Sequence, residues 1–203
     1  MVCPPSFRRW LFGLVLAVLW VPHAVHALSF STVVLDAGHG GKDGGAAWHG
    51  LVEKRLCLDV AQRVERLLKK RGLRVVMTRR TDTFVELDGR ARIANRYSRS
   101  VFVSIHFNAC RRTSVCGLEG FYRSSRGKVL AGSILRSLDR RVPGNNRGLY
   151  NRNLKVLRST EMPAAVIECG YISNRAEARR CGSPAHRQAI AEAIASGILA
   201  ARG

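Results

Sequence analysis

The chain reads as an α/β protein: one domain, with a mostly parallel twisted sheet covered by helices on both faces. Three observations predict this. Short apolar, β-branched runs alternate along the sequence with longer segments whose apolar residues recur at helical spacing. Glycine-rich or Pro-Gly stretches punctuate the changes from one pattern to the other. Finally, 203 residues with 46% hydrophobic and 24% charged content suffice for one such core, with no room for a second full domain.

Thr32 to Leu35 is a buried strand that stops at the glycine-rich stretch Gly38 to Gly45. From Glu53 to Arg71, Leu56, Val60, Val64, Leu67 and Leu68 mark one face of a helix, Lys and Arg fill the other, and Gly72 ends it. Leu73 to Met77 is a second strand, Leu87 to Tyr97 a short helix, and Val101 to Ile105 a third strand. Gly120 to Tyr122 reads as an edge strand, and Lys128 to Val142 as a helix broken by Pro143-Gly144. Ala164 to Glu168 is the last buried strand and His186 to Ala200 the closing amphipathic helix.

The first residues carry an export pattern. Arg8 and Arg9 precede the apolar run Trp10 to Val21, and Val25-His26-Ala27 offers small residues where a signal peptidase cuts. Residues 1–27 are therefore expected to be a signal peptide and residues 28–203 the functional domain. The apolar run is well short of the ~20 residues needed to span a bilayer, so no stable membrane span is expected after cleavage. The net charge is +20, and removing Arg8 and Arg9 leaves +18 for the rest. Such an excess favours a polyanionic partner, and export makes nucleic acid the poorest choice beside anionic lipid or a carboxylate-rich cell wall. Cys57, Cys110, Cys116, Cys169 and Cys181 leave an odd count, with a Cys110–Cys116 bridge open either way.

Three strands end in or beside a residue able to hold metal or protons: His39, His106 and Glu168. The common direction of the strands brings all three to one rim of the sheet, the rim where α/β proteins bind ligands. Glu53 opens the first helix and reaches the same rim from the side. Singly, each His could be a packing residue, and Glu53 could serve the helix dipole. Glu168 is different: in Ala164-Ala165-Val166-Ile167-Glu168-Cys169 an unpaired carboxylate costs several kcal/mol unless chemistry requires it. Two histidines and a carboxylate form a catalytic zinc set with one position left open. The glycines around His39 also suggest a phosphate cradle, but Gly41-Lys42-Asp43 lacks the Ser or Thr of a Walker loop.

Val34-Leu35-Asp36-Ala37-Gly38-His39-Gly40-Gly41-Lys42-Asp43-Gly44-Gly45-Ala46, then Glu53, Ser104-Ile105-His106-Phe107-Asn108-Ala109 and Val166-Ile167-Glu168-Cys169-Gly170-Tyr171-Ile172-Ser173-Asn174 resemble the zinc-dependent N-acetylmuramoyl-L-alanine amidases. The order and spacing match over residues 32–200. The resemblance implies that His39, Glu53 and His106 ligate zinc and that Glu168 is the catalytic acid/base. It implies hydrolysis of the bond between N-acetylmuramic acid and L-alanine in peptidoglycan, in the periplasm or cell wall. Asp36 is expected to orient a ligand, Glu119 to support the site and His49 to lie at the surface within reach of substrate. Phe107 is expected to reshape the groove, and Cys169 to make activity redox-sensitive. Two rivals remain at this level: another zinc peptidase of the wall, and a wall-binding module without catalysis.

Overall fold

A computed structural model describes residues 27–202; apart from Ala27, the expected signal peptide lies outside the described residues. In chain order the elements are β1 (Thr32–Ala37), β2 (Ala47–Trp48), β3 (Leu51–Val52), α1 (Glu53–Lys70), β4 (Arg74–Met77), α2 (Leu87–Ala94) and β5 (Ser100–Asn108). Then come β6 (Leu118–Tyr122), α3 (Ser125–Arg141), β7 (Asn146–Asn151), α4 (Lys155–Ser159), β8 (Ala164–Tyr171), α5 (Arg175–Gly182) and α6 (Pro184–Ala201). β2 and β3 form a separate hairpin; the other strands make one sheet in the order β4-β1-β5-β8-β6-β7.

β4, β1, β5 and β8 are mutually parallel, so their carboxyl ends share one rim. β6 runs antiparallel to β8, which brings its first residues to that same rim. Both faces of β1 are buried, as parallel strands between helices require. Its alternation divides the core: Val33 and Leu35 face the larger cluster with α1, α3 and α6, while Val34 faces the smaller one with Ala94, Val156 and Leu157 of α2 and α4. Leu56, Val60, Val64 and Leu68 of α1 are buried at the expected spacing, and the chain turns after the helix at Gly72 with φ +75°. Among the described residues no helix is long and apolar enough to cross a membrane.

One expectation needs correcting, and one question left open is answered. Gly120 to Tyr122 does belong to a strand, but β6 is internal, flanked by β8 and β7. The edge is β7, whose residues Asn146 to Asn151 are half-exposed or exposed and carry no buried alternation. Cys110 and Cys116 form no bridge; all five cysteines among the described residues are free thiols.

The tightest helix contact is α3 on α6, where Gly197 meets the backbone of Ile134 and the Ser133 carbonyl; a Cβ at Gly197 would stand 2.9 Å from that oxygen. Gly197→Ala should therefore destabilise the fold by about 1–3 kcal/mol, because α6 must move off α3. Urea denaturation of both proteins checks this, and an unchanged midpoint would show that α6 shifts freely.

Candidate metal centre and active site

The site begins with two carboxylates that need opposite environments. Glu53, the first residue of α1, is buried and fully engaged. Its Oε1 lies 2.9 Å from His106 Nδ1 and 3.0 Å from His39 Nε2, and it accepts the Phe107 N–H at 3.1 Å. Its Oε2 accepts the Ala46 N–H at 2.9 Å. Burial works against its charge, but the hydrogen bonds and charge of the two imidazoles, with the Ala46 amide, hold the carboxyl well below the usual range. The same contacts raise both histidines, although burial opposes this.

Glu168 stands beside His106 in the β5–β8 register and opposite Glu119 of β6. Its Oε2 is buried without any hydrogen-bond partner. Burial, reinforced by repulsion from Glu53 and Glu119 and opposed by His106, pushes its carboxyl up to about 7. Glu119 is held differently: it accepts Arg147 Nε at 2.7 Å, Tyr171 Oη–H at 3.0 Å and Asn108 Nδ2 at 3.2 Å. It braces the strand end beside Glu168.

His39, Glu53 and His106 each offer one ligand atom, all within 4.8 Å of one another. The backbone makes room for this. A Cβ at Gly38 would collide with the His106 ring, and one at Gly45 would sit 2.6 Å from both Glu53 Oε2 and His39 Cδ2. His39 itself adopts φ +59°, a strained conformation for a residue with a side chain, of the kind that clusters at functional sites. Two nitrogens and one carboxylate oxygen converging on a point form a donor set suited to a divalent ion such as zinc. The outer contacts fit as well: His39 Nδ1 bonds Asp43 Oδ2 at 2.8 Å, the carboxylate–histidine arrangement that orients metal ligands. Asp43 is a site residue that sequence reasoning missed; its signal was its place four residues after His39 in the glycine loop.

The triad and Glu168 line one cavity of about 450 Å³, with Asn108 and Lys155 also in its wall. The exposed apolar side chains Leu87 and Leu154 stand at the same opening. His49 does not line it; it lies at the hairpin tip, its Nε2 donating to the Ser173 carbonyl at 3.2 Å. Phe107 borders the cavity, but its side chain is fully buried in the core and its backbone N–H serves Glu53. Cys169 is also buried, and burial pushes its thiol well above the ordinary value, which opposes reactivity.

Asp36 orients no ligand side chain directly. Fully buried, it accepts Thr78 Oγ1 and Ser104 Oγ at 2.6 Å and Arg90 Nη1 at 2.7 Å. Arg90 in turn donates to the carbonyls of Ala37 and His39 at 2.8 Å. Arg79 adds bonds to the carbonyls of Ala37, Gly38 and Lys54 at 2.7–2.9 Å. Two buried guanidiniums thus lock the loop that carries His39 to the start of the helix that carries Glu53.

Comparison with known proteins agrees with this geometry. A family model described as N-acetylmuramoyl-L-alanine amidase matches residues 33–200. The chain is 34% identical over 192 residues to "Uncharacterized protein YqiI" of Bacillus subtilis, covering 93% of each. It is 34% identical to "Probable cell wall amidase LytH" of Staphylococcus epidermidis over 84% of this chain, which spans 58% of that longer protein. Among solved structures it is similar to N-acetylmuramoyl-L-alanine amidase AmiC2 of Nostoc punctiforme, with TM-score 0.81, 41% identity and coverage of 83% and 95% of the two chains. The catalytic domain of CwlV, an N-acetylmuramoyl-L-alanine amidase from Bacillus (Paenibacillus) polymyxa, also superposes, with TM-score 0.81, 37% identity and coverage of 84% and 97%.

Arg90→Met should cost about 3–5 kcal/mol, since it leaves Asp36 charged, buried and without its cation. Despite burial, Arg90, Ser104 and Thr78 hold the Asp36 carboxyl below 3.8, so its contribution is complete above that pH and is lost as pH falls through the lower folded value. The gap between wild type and Arg90→Met in urea should accordingly be widest near neutrality and narrow below about pH 4. A gap independent of pH would show that Arg90 acts by packing alone.

Proposed function

We propose, because the chain belongs to the N-acetylmuramoyl-L-alanine amidase family, that it is a zinc-dependent hydrolase of the amide between N-acetylmuramic acid and L-alanine in peptidoglycan. In this reading His39, Glu53 and His106 hold the metal and Glu168 moves the proton. The observation that carries it is the partnerless, buried Oε2 of Glu168 beside a ready-made three-ligand cluster on the same rim. Neither feature has a purpose in a passive binding module, where an unsatisfied carboxylate is a pure cost.

When bound, zinc supplies Lewis acidity toward the scissile carbonyl and acidifies a water. The protein's own groups do the rest. Glu53, kept anionic by two backbone N–H groups and two imidazoles, neutralises charge at the cluster without turning. Asp43 fixes the His39 ring, and Arg90 and Arg79 fix the backbone behind it. Glu168 accepts a proton from the attacking water as the new C–O bond forms. It returns that proton to the alanine nitrogen as the C–N bond breaks, leaving a free stem peptide and a sugar strand whose lactyl group ends in a carboxylate. A carboxyl held near 7 can both take and release a proton at neutral pH. This substrate places the protein in the periplasm or cell wall, consistent with the export pattern of residues 1–27.

The two glutamates separate the roles. Glu168→Gln should retain stoichiometric zinc while hydrolysis of purified peptidoglycan falls roughly a hundred- to ten-thousand-fold. Glu53→Gln should lose zinc and activity together, because a neutral amide is a poor ligand. Metal analysis and mass spectrometry of the digests read both. Zinc loss in Glu168→Gln, or near-normal release of stem peptides, would overturn the assignment, and cleavage at another bond would point to a different wall peptidase.

A further inference from the structure

A second cavity, of about 480 Å³, lies behind the β2–β3 hairpin and is lined by His49, Leu51, Arg175, Ala178, Arg179 and Gly182. It lies close to the catalytic cavity, with the hairpin residues His49 and Leu51 forming its own wall. Ala46 lines the first and His49 the second, and three residues of chain span at most about 11 Å. The wall is braced from outside, since His49 Nε2 donates to the carbonyl of Ser173, in the loop that follows β8 and Glu168. The hairpin turn is costly to build with this residue: His49 and Gly50 take φ +50° and +78°, a turn in which Asn-Gly is preferred.

The charges of this cavity are not neutralised within it. Its lining contains two arginines and no carboxylate. Arg175 and Arg179 lie four residues apart on exposed positions of α5, where like charges repel. Arg175 is also the first residue of α5, the end at which the helix dipole disfavours a cation. Among the described residues neither arginine donates a hydrogen bond or joins an ion pair, whereas Arg180 beside them pairs with Glu177 and Arg187 with Asp59. An anion seated between the two guanidiniums would relieve both penalties. The apolar floor of Leu51 and Ala178 would pack against the chain that carries it.

We infer that this cavity is a subsite for a carboxylate of the peptide stem, on the peptide side of the scissile amide, with Arg175 and Arg179 as its ligands and His49 as the residue that positions the wall. The inference rests on the amidase reading above. A substrate whose carbonyl reaches the His39–Glu53–His106 cluster would extend past the hairpin, and an acidic residue close to the cleaved bond comes within reach of the two guanidiniums. The subsite would favour stems with a free carboxylate over those in which it is amidated.

Calorimetric binding of free peptides tests this without requiring catalysis. The probes are L-alanyl-γ-D-glutamyl-L-lysine and the same peptide with the glutamyl α-carboxylate amidated. Wild type should bind the acidic peptide about five- to twentyfold more tightly, the effect of two partly exposed charge contacts. Arg175→Ala/Arg179→Ala should abolish the difference, and Arg175→Lys/Arg179→Lys should keep most of it. Equal affinities in wild type, no binding of either peptide, or an equal loss for both peptides in the alanine variant would each overturn the subsite. Peptidoglycan hydrolysis measured in parallel judges the amidase reading separately, because wild type could discriminate between the peptides without cleaving the wall, or cleave it without discriminating.

Discussion

Everything at the catalytic rim hangs on the buried pair of Asp36 and Arg90. The strand that ends in His39 must stop, turn sharply and present an imidazole in a conformation that costs energy, and no regular hydrogen-bond ladder is available to hold that turn. Arg90 supplies the missing donors by bonding the carbonyls of Ala37 and His39, and Asp36 supplies the charge that makes a guanidinium tolerable inside. A buried ion pair contributes little net stability by itself. Here its return is placement: two guanidiniums, Arg90 and Arg79, converge on the carbonyls of Ala37, Gly38, His39 and Lys54, and the position of His39 relative to Glu53 follows from them.

With the loop fixed, the site exploits a difference between two glutamates of one rim. Glu53 has every lone-pair direction answered by amides and imidazoles, so burial leaves it ionised. Glu168 has an apolar strand around it and an oxygen that nothing answers, so burial raises it. In the proposed function, surroundings that drive like groups apart in acidity are what give one protein a metal ligand and a proton carrier from the same side chain. Glu119 completes the set by sitting opposite Glu168 with its own cation, Arg147, adding repulsion without needing the pocket's hydrogen bonds.

What the sequence made legible follows from the strength of its periodic signals. α1, α3 and α6 bury a full stripe, and β1, β5 and β8 are continuous apolar runs, so their existence and the convergence of His39, His106, Glu168 and Glu53 were readable before any coordinates. The missed elements lack such signals: two-residue strands in the hairpin, five residues in α4, eight mostly polar residues in α5, and a polar β7 that depends on β6 for its pairing. The placement of Gly120 to Tyr122 inside the sheet depends on that unseen partner. Phe107 and Asp36 illustrate a second limit. Both lie in site motifs, yet their side chains are buried, Phe107 in the core and Asp36 against Arg90, and a motif does not say how deeply a side chain lies.

The charge of the protein also acquires a structural meaning. There are 14 acidic residues against 34 lysines and arginines, and most of the acids are already paired within the fold. Asp36, Asp43, Glu53, Asp59, Glu65, Asp82, Asp88, Glu119 and Glu177 each hold a cation or a histidine. The positive excess that remains is therefore mostly unneutralised and outward, a field that attracts an anionic polymer at range before any subsite is engaged. At physiological ionic strength that field decays over about 8 Å, so it can gather the protein onto a wall without holding any bond in register. Register must come from short-range contacts inside cavities, and that is the role proposed for the two unneutralised arginines that line the cavity behind the hairpin.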